Sequence, residues 1–196
     1  MAKQTKTPYA ILGLLTLRAM SGYELKSFYD RSLRFFWSES FGQIYPTLKW
    51  LEADGLVTGK DEVADRGKTR RRYAITEAGR EYLRDWLEMG VEETPVRSEL
   101  LLKVFFGTGV SLDTIRRHLR TQQVKAEERL AVYGAIAKAI QSENPDPYSS
   151  TMHLLTLDFG RRNLEMILAW CQASLETLTA LEKTAGKPAQ SWEVGP

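Results

Sequence analysis

Apolar positions recur at steps of three and four through the start of the chain: Ile11, Leu12 and Leu15, then Tyr23, Leu25, Phe28, Tyr29, Leu33 and Phe36. That spacing sets side chains on one face of an α-helix. Thr7-Pro8 opens the first helix, with a capping threonine and a proline where no N–H is needed, and the helix runs to about Arg18. Ser21-Gly22-Tyr23-Glu24 is a capping box and opens the second. Ser40-Phe41-Gly42-Gln43 is another, of the Ser-x-x-Gln form, and opens a third helix that reaches about Ala53. Gly55 closes it, because glycine takes the left-handed conformation that ends helices. The apolar period then shortens to two. Leu56 to Val63 reads as a polar strand, Arg66 to Thr69 as a turn around Gly67, and Arg72-Tyr73-Ala74-Ile75 as the returning strand of a hairpin. Thr76 caps a fourth helix carrying Tyr82, Leu83, Trp86 and Leu87.

Three helices, a two-stranded wing and a further helix, with a tight corner at Trp37-Ser38-Glu39, make a winged helix-turn-helix. A polar joint at Glu92-Glu93-Thr94-Pro95 separates residues 1–90 from 91–196. The second part is helical: a short apolar helix over 98–106, a long one capped by Ser111, a break at Asn144-Pro145-Asp146-Pro147, and another long one from Tyr148 to about Thr184. Leu164, Leu168, Cys171, Leu175 and Leu178 form a heptad-like seam, which serves equally as a core within the chain or as a contact between two chains. The tail 186–196 is expected to be disordered. The fold class expected is therefore mainly α.

Composition narrows the function. There is one cysteine, so no intrachain disulfide and no thiolate metal cluster. No run of about 18 apolar residues appears, so no membrane span is expected, and no secretion signal is read at the N-terminus. Cytoplasmic location follows as an expectation. His118 and His153 lack partners at metal-binding spacing, and Gly107-Thr108-Gly109 lacks the third glycine and preceding strand of a dinucleotide site. Neither a cofactor nor an enzyme activity is expected. Trp37, Trp50, Trp86 and Trp170 read as core or interface more readily than as the lining of a pocket.

The net charge of +2 decides little, but its distribution is uneven. Residues 1–90 hold 15 Lys/Arg against 12 Asp/Glu, and Arg66-Gly67-Lys68-Thr69-Arg70-Arg71-Arg72 packs five cations into seven residues. Such a cluster is either a solvated loop or a phosphate-binding one. On the third helix Phe41, Ile44, Leu48 and Leu51 face inward, leaving Gly42, Gln43, Pro46, Lys49 and Trp50 outward and Tyr45 on the flank. Taken alone this is an ordinary amphipathic helix. Beside a basic wing it suits the major groove, where Gln pairs with adenine and Lys with guanine acceptors. Ser40, Gln43, Tyr45, Lys49, Arg66, Lys68, Thr69, Arg70 and Arg71 are the candidate DNA contacts. Arg72 ranks lower, because strand residues alternate sides.

Several stretches resemble the PadR family of transcriptional regulators: Tyr9-Ala10-Ile11-Leu12-Gly13-Leu14-Leu15 with Ser21-Gly22-Tyr23-Glu24-Leu25, Gly42 to Val57, and Arg71 to Arg80. The resemblance spans 8–88 and implies a repressor that binds double-stranded operator DNA and is released by a small-molecule effector. It supports Tyr45, Lys49 and the wing cations as contacts. Trp50 departs from the family pattern, which has Arg or Lys there. The second half resembles the longer subgroup, whose helical C-terminal domain builds a homodimer, and this resemblance implies that the Leu164–Leu178 seam is shared between protomers. A winged helix that binds a protein partner without reading DNA is the alternative.

Overall fold

The computed structural model describes residues 5–33, 36–37, 41–63, 69–92, 97–143 and 146–185. The chain divides into two compact units, Met1–Glu93 and Thr94–Pro196. The first unit runs α1 (Thr7–Leu17), β1 (Met20–Ser21), α2 (Gly22–Arg31), α3 (Ile44–Ala53), β2 (Val57–Val63), β3 (Thr69–Ile75) and α4 (Glu77–Glu88). The sheet is antiparallel in the order β1-β3-β2.

The wing is thus part of a three-stranded sheet and not a two-stranded ribbon. β1 pairs Met20 with Tyr73 and Ser21 with Arg72. Two residues are too short for alternation to reveal, and Ser21 also caps α2. Its Oγ accepts from the Glu24 N–H at 3.2 Å, while the Glu24 carboxylate accepts from the Ser21 N–H at 2.8 Å.

Three helix boundaries differ from expectation. α1 begins with Thr7 inside it and Lys6 as N-cap. α2 stops at Arg31, with the Ser32 N–H bonded to the Phe28 and Tyr29 carbonyls, and does not reach Phe36. Tyr23 and Phe36, expected on its apolar face, are 72% and 51% exposed. Only Leu25 and Tyr29 of that face are buried, with Phe28 and Leu33 partly so. α3 begins at Ile44 and not at Ser40, preceded by a 3-10 turn over Phe41–Gln43. Pro46 accounts for this: it has no N–H to donate back, and its ring would clash with the carbonyl four residues earlier, so one α-helix cannot run through Gly42.

The exit of α3 is a Schellman motif. Leu56 N–H donates to Leu51 O at 2.8 Å and Gly55 N–H to Glu52 O at 3.1 Å, with Gly55 at φ +72. Thr76 Oγ1 then joins two elements, accepting from the Gly79 N–H at 3.0 Å to cap α4 and donating to Gly55 O at 2.8 Å. Gly79 is required because any Cβ there would run into the Leu56 carbonyl. Ile11, Leu12, Leu15, Leu25, Ile44, Leu48, Leu51, Val57 and Leu83 close a single core beneath these elements.

The second unit holds α5 (Glu99–Phe105), α6 (Leu112–Glu143) and α7 (Pro147–Ala185). Side-chain oxygens start each helix: Ser98 for α5, Ser111 for α6 and Asp146 for α7. α6 and α7 run antiparallel. Arg116 meets Glu182, Gln123 meets Gln172, and the Tyr133 ring lies where a Cβ on Gly160 would have to go. Against the expectation of a seam shared between protomers, its C-terminal part is contact within the chain: Cys171, Leu175 and Leu178 pack with Ile115, Leu119 and Val104, because α6 runs back alongside α7. A different stripe on α7 is left open, formed by Tyr148, Met152, Leu155, Phe159 and Met166. Among the described residues, no helix is long and apolar enough to cross a membrane.

Candidate nucleic-acid interface

α3 carries its inward residues Ile44, Leu48 and Leu51 at 0–2% exposure, which fixes the opposite face to solvent. Gln43, Tyr45, Pro46 and Lys49 all lie exposed there. Gln43 occupies the N-cap position and makes no side-chain cap bond. Tyr45 is 57% exposed, yet one edge of its ring rests on Gly22 at the start of α2, where a Cβ would come within 2.6 Å. That contact orients the phenol without burying it. Trp50 is 40% exposed and meets Tyr82 of α4 edge-on at 6.4 Å, so in place of a basic residue this chain has an aromatic contact between α3 and α4. Tyr82 stacks in turn on Tyr9, which stacks on Trp86. The Tyr9 hydroxyl bonded to it, aided by burial, pushes the Tyr82 pKa up to about 12.

The basic segment is arranged differently from the sequence expectation. β3 begins at Thr69 and not at Arg72, so Arg70 and Arg71 lie on a strand and not in the turn. Across the ladder Asp61 stands opposite Arg71 and pairs with it, while Glu62 stands opposite Arg70 and pairs diagonally with Arg72. Consecutive arginines then leave the strand on alternate faces. Arg70 Nε donates to Ser21 Oγ at 2.9 Å, and its guanidinium pairs with Glu24 at 3.4 Å. Arg72 donates to the Ala19 carbonyl and pairs with Glu62. Arg71, on the other face, donates to Glu52 of α3 at 2.7 Å and to Asp61 at 3.1 Å. Hydrogen bonds to these two carboxylates raise its pKa further. Burial would by itself raise the Glu24 pKa, but the Ser21 N–H and hydroxyl, with Arg70 and Arg72, outweigh that and hold it below the usual carboxylate range.

Of the expected contacts, Gln43, Tyr45 and Lys49 therefore share one open face. Thr69 is exposed at the start of β3, opposite Val63. Arg70 and Arg71 are held by internal partners. Ser40, Arg66 and Lys68 lie outside the described residues. Sequence reading missed Glu52 and Asp61, the carboxylates that occupy Arg71. The available signal was an acidic pair entering the same hairpin that brings the arginines out. Tyr23, exposed on the first turn of α2, was also missed, because a helical period alone counts any aromatic as core.

Comparison with known proteins follows the same division of the chain. Residues 11–85 match the model of the transcriptional regulator PadR-like family, and residues 96–179 match that of the virulence activator alpha C-terminal region. The negative transcriptional regulator PadR of Bacillus subtilis is 31% identical over 172 residues, covering 85% of this chain and 94% of that protein. The crystal structure of Bacillus subtilis PadR in complex with operator DNA superposes with a TM-score of 0.78 at 28% identity, over 89% of this chain and 99% of that one. The complex of the same protein with p-coumaric acid gives 0.72 at 28% identity, again over 89% and 99%.

Proposed function

Because this chain belongs to the PadR-like family of transcriptional regulators, we propose that it is a repressor that binds double-stranded operator DNA as a homodimer and is released by a small-molecule effector. The observation that carries this reading is the open Gln43/Tyr45/Lys49 face of α3, its rotation fixed by a buried opposite side. Gln43 and Lys49 read base edges in the major groove, and Tyr45, set by Gly22, contacts the backbone or a base methyl. Thr69, with Ser40, Arg66 and Lys68, supplies the phosphate contacts that flank them. Arg70 and Arg71, whose charge is offset by carboxylates, serve the wing that carries these contacts more than they make point contacts themselves.

Two-fold symmetry then places two α3 helices on successive major grooves, ~34–36 Å apart. The exposed stripe Tyr148, Met152, Leu155, Phe159 and Met166 on α7 supports pairing through the second unit. The relative solved with operator DNA and with p-coumaric acid supports both the operator binding and the small-molecule release in this reading. The role is regulatory and not catalytic, and its place is the cytoplasm.

Selection of duplexes from a random pool, followed by titration at several salt concentrations, tests this. Binding should favour a two-fold symmetric sequence, and Gln43→Ala or Lys49→Ala should cost about 1–3 kcal/mol at particular bases only. Equal binding to all duplexes, or uniform loss in both variants, would overturn it. That result would favour the protein-binding alternative.

A further inference from the structure

Arg71 sits in a cluster that makes little sense as a phosphate anchor. Glu52, Asp61 and Arg71 together sum to one negative charge, so the group repels DNA slightly. Its geometry is instead that of a joint. One carboxylate oxygen, Glu52 Oε1 on α3, accepts from the Arg71 guanidinium at 2.7 Å and from the Gly59 N–H of β2 at 2.9 Å. The other arm of the guanidinium reaches Asp61 at 3.1 Å, and its centre lies 5.9 Å from the Tyr73 ring centroid. Gly59 has to be glycine for this closeness, since a Cβ would fall 2.5 Å from Glu52 Oε1 and 2.6 Å from Arg71 Nε. The recognition helix is thus tied to both strands of the hairpin through one carboxylate. Lys49 stands one turn before Glu52 on the same helix.

We propose that Glu52 and Arg71, closed over Gly59, are positioning residues for operator readout: they lock the rotation of α3 against the wing so that Gln43 and Lys49 meet the bases while the wing meets the phosphates. This rests on the DNA-binding reading above. A planar guanidinium that bonds two carboxylates fixes an angle, and a lysine in its place cannot.

The test compares Glu52→Ala and Arg71→Lys with wild type on two probes, a duplex selected by the wild-type chain and a scrambled duplex of equal composition. Simple electrostatics predicts that Glu52→Ala tightens both and that Arg71→Lys, keeping its charge, changes neither. The joint predicts a loss of about tenfold on the selected duplex for each variant, scrambled binding held or tightened, and no further loss in the double variant. The salt slope stays that of wild type, and hydrogen exchange at the Gly59 N–H speeds up in both variants. Thermal unfolding monitors the fold, and Gly59→Ala, which wedges the joint from the strand side, should repeat the loss of selectivity. Wild-type selectivity retained in Glu52→Ala and Arg71→Lys overturns the joint alone. Equal loss on both duplexes in Arg71→Ala, with a salt slope lowered by about one phosphate contact, also overturns it and makes Arg71 an anchor. A wild type that cannot tell the two duplexes apart overturns the DNA-binding reading, and the joint with it.

Discussion

The two units spend their apolar residues in opposite ways. The first gathers residues from α1, α2, α3, α4 and all three strands around one centre, with Ile11, Leu12, Met20, Leu25, Leu48 and Leu51 fully buried. The second has two helices of 32 and 39 residues, yet among its described residues only Ile115, Leu119, Ala126, Tyr133, Leu164 and Cys171 are buried apolar positions, while Leu155 and Phe159 stand 60% and 70% exposed. A short helix-and-sheet unit can fold its surface inward. Two long antiparallel helices cannot, because each shows its partner only one side. The difference teaches that the first unit covers its apolar residues by itself, while the second leaves a stripe that the proposed pairing with another copy would cover.

The largest effect should come from breaking the complete core. Leu48→Ala empties a site with no exposure on the inward face of α3 and should cost about 2–5 kcal/mol, read by urea unfolding. Next comes the incomplete core. Phe159→Glu with Leu155→Glu should weaken the proposed dimer by more than about 2 kcal/mol in sedimentation, with the helical content of the chain preserved. A loss of helicity equal to that of Leu48→Ala would erase the contrast between the units. A smaller effect tests the α3 exit: Gly55→Ala must hold a methyl-bearing residue at φ +72, at a cost of about 1–2 kcal/mol.

The smallest effect concerns pH. The folded pKa of Glu24 is depressed, so the stability it contributes is present above its unfolded value and is lost as pH falls through the acid range. Glu24→Gln should remove part of the acid-side slope in a pH series of melting temperatures. A slope identical to that of wild type would show the capping box to be electrostatically silent.

Much of the first unit was legible from sequence because its signals are local. Ser21, Gly55 and Thr76 each act within a few residues, and each does what its type implies. The inward face of α3 was legible because Ile44, Leu48 and Leu51 repeat at helical spacing. What stayed hidden depends on partners distant in sequence. β1 is a strand only because Tyr73 and Arg72 arrive beside it. Arg71 looks like a free cation until Glu52, nineteen residues earlier, is brought to it. The start of α3 was misplaced because the capping pattern at Ser40 was weighed without Pro46 six residues on. In the second unit, the Leu164–Leu178 spacing showed a contact seam but not whose, since an inner and an outer partner impose the same heptad period.

Cys171 brings one practical consequence. It is the sole thiol of the chain, fully enclosed between the long helices, and burial pushes its pKa up. A thiol held protonated and out of reach reacts only in moments when the helices part. The speed of its alkylation in native buffer is therefore a ready-made gauge of how often that helical pair breathes, and comparing it with and without DNA would time the motion without adding any label.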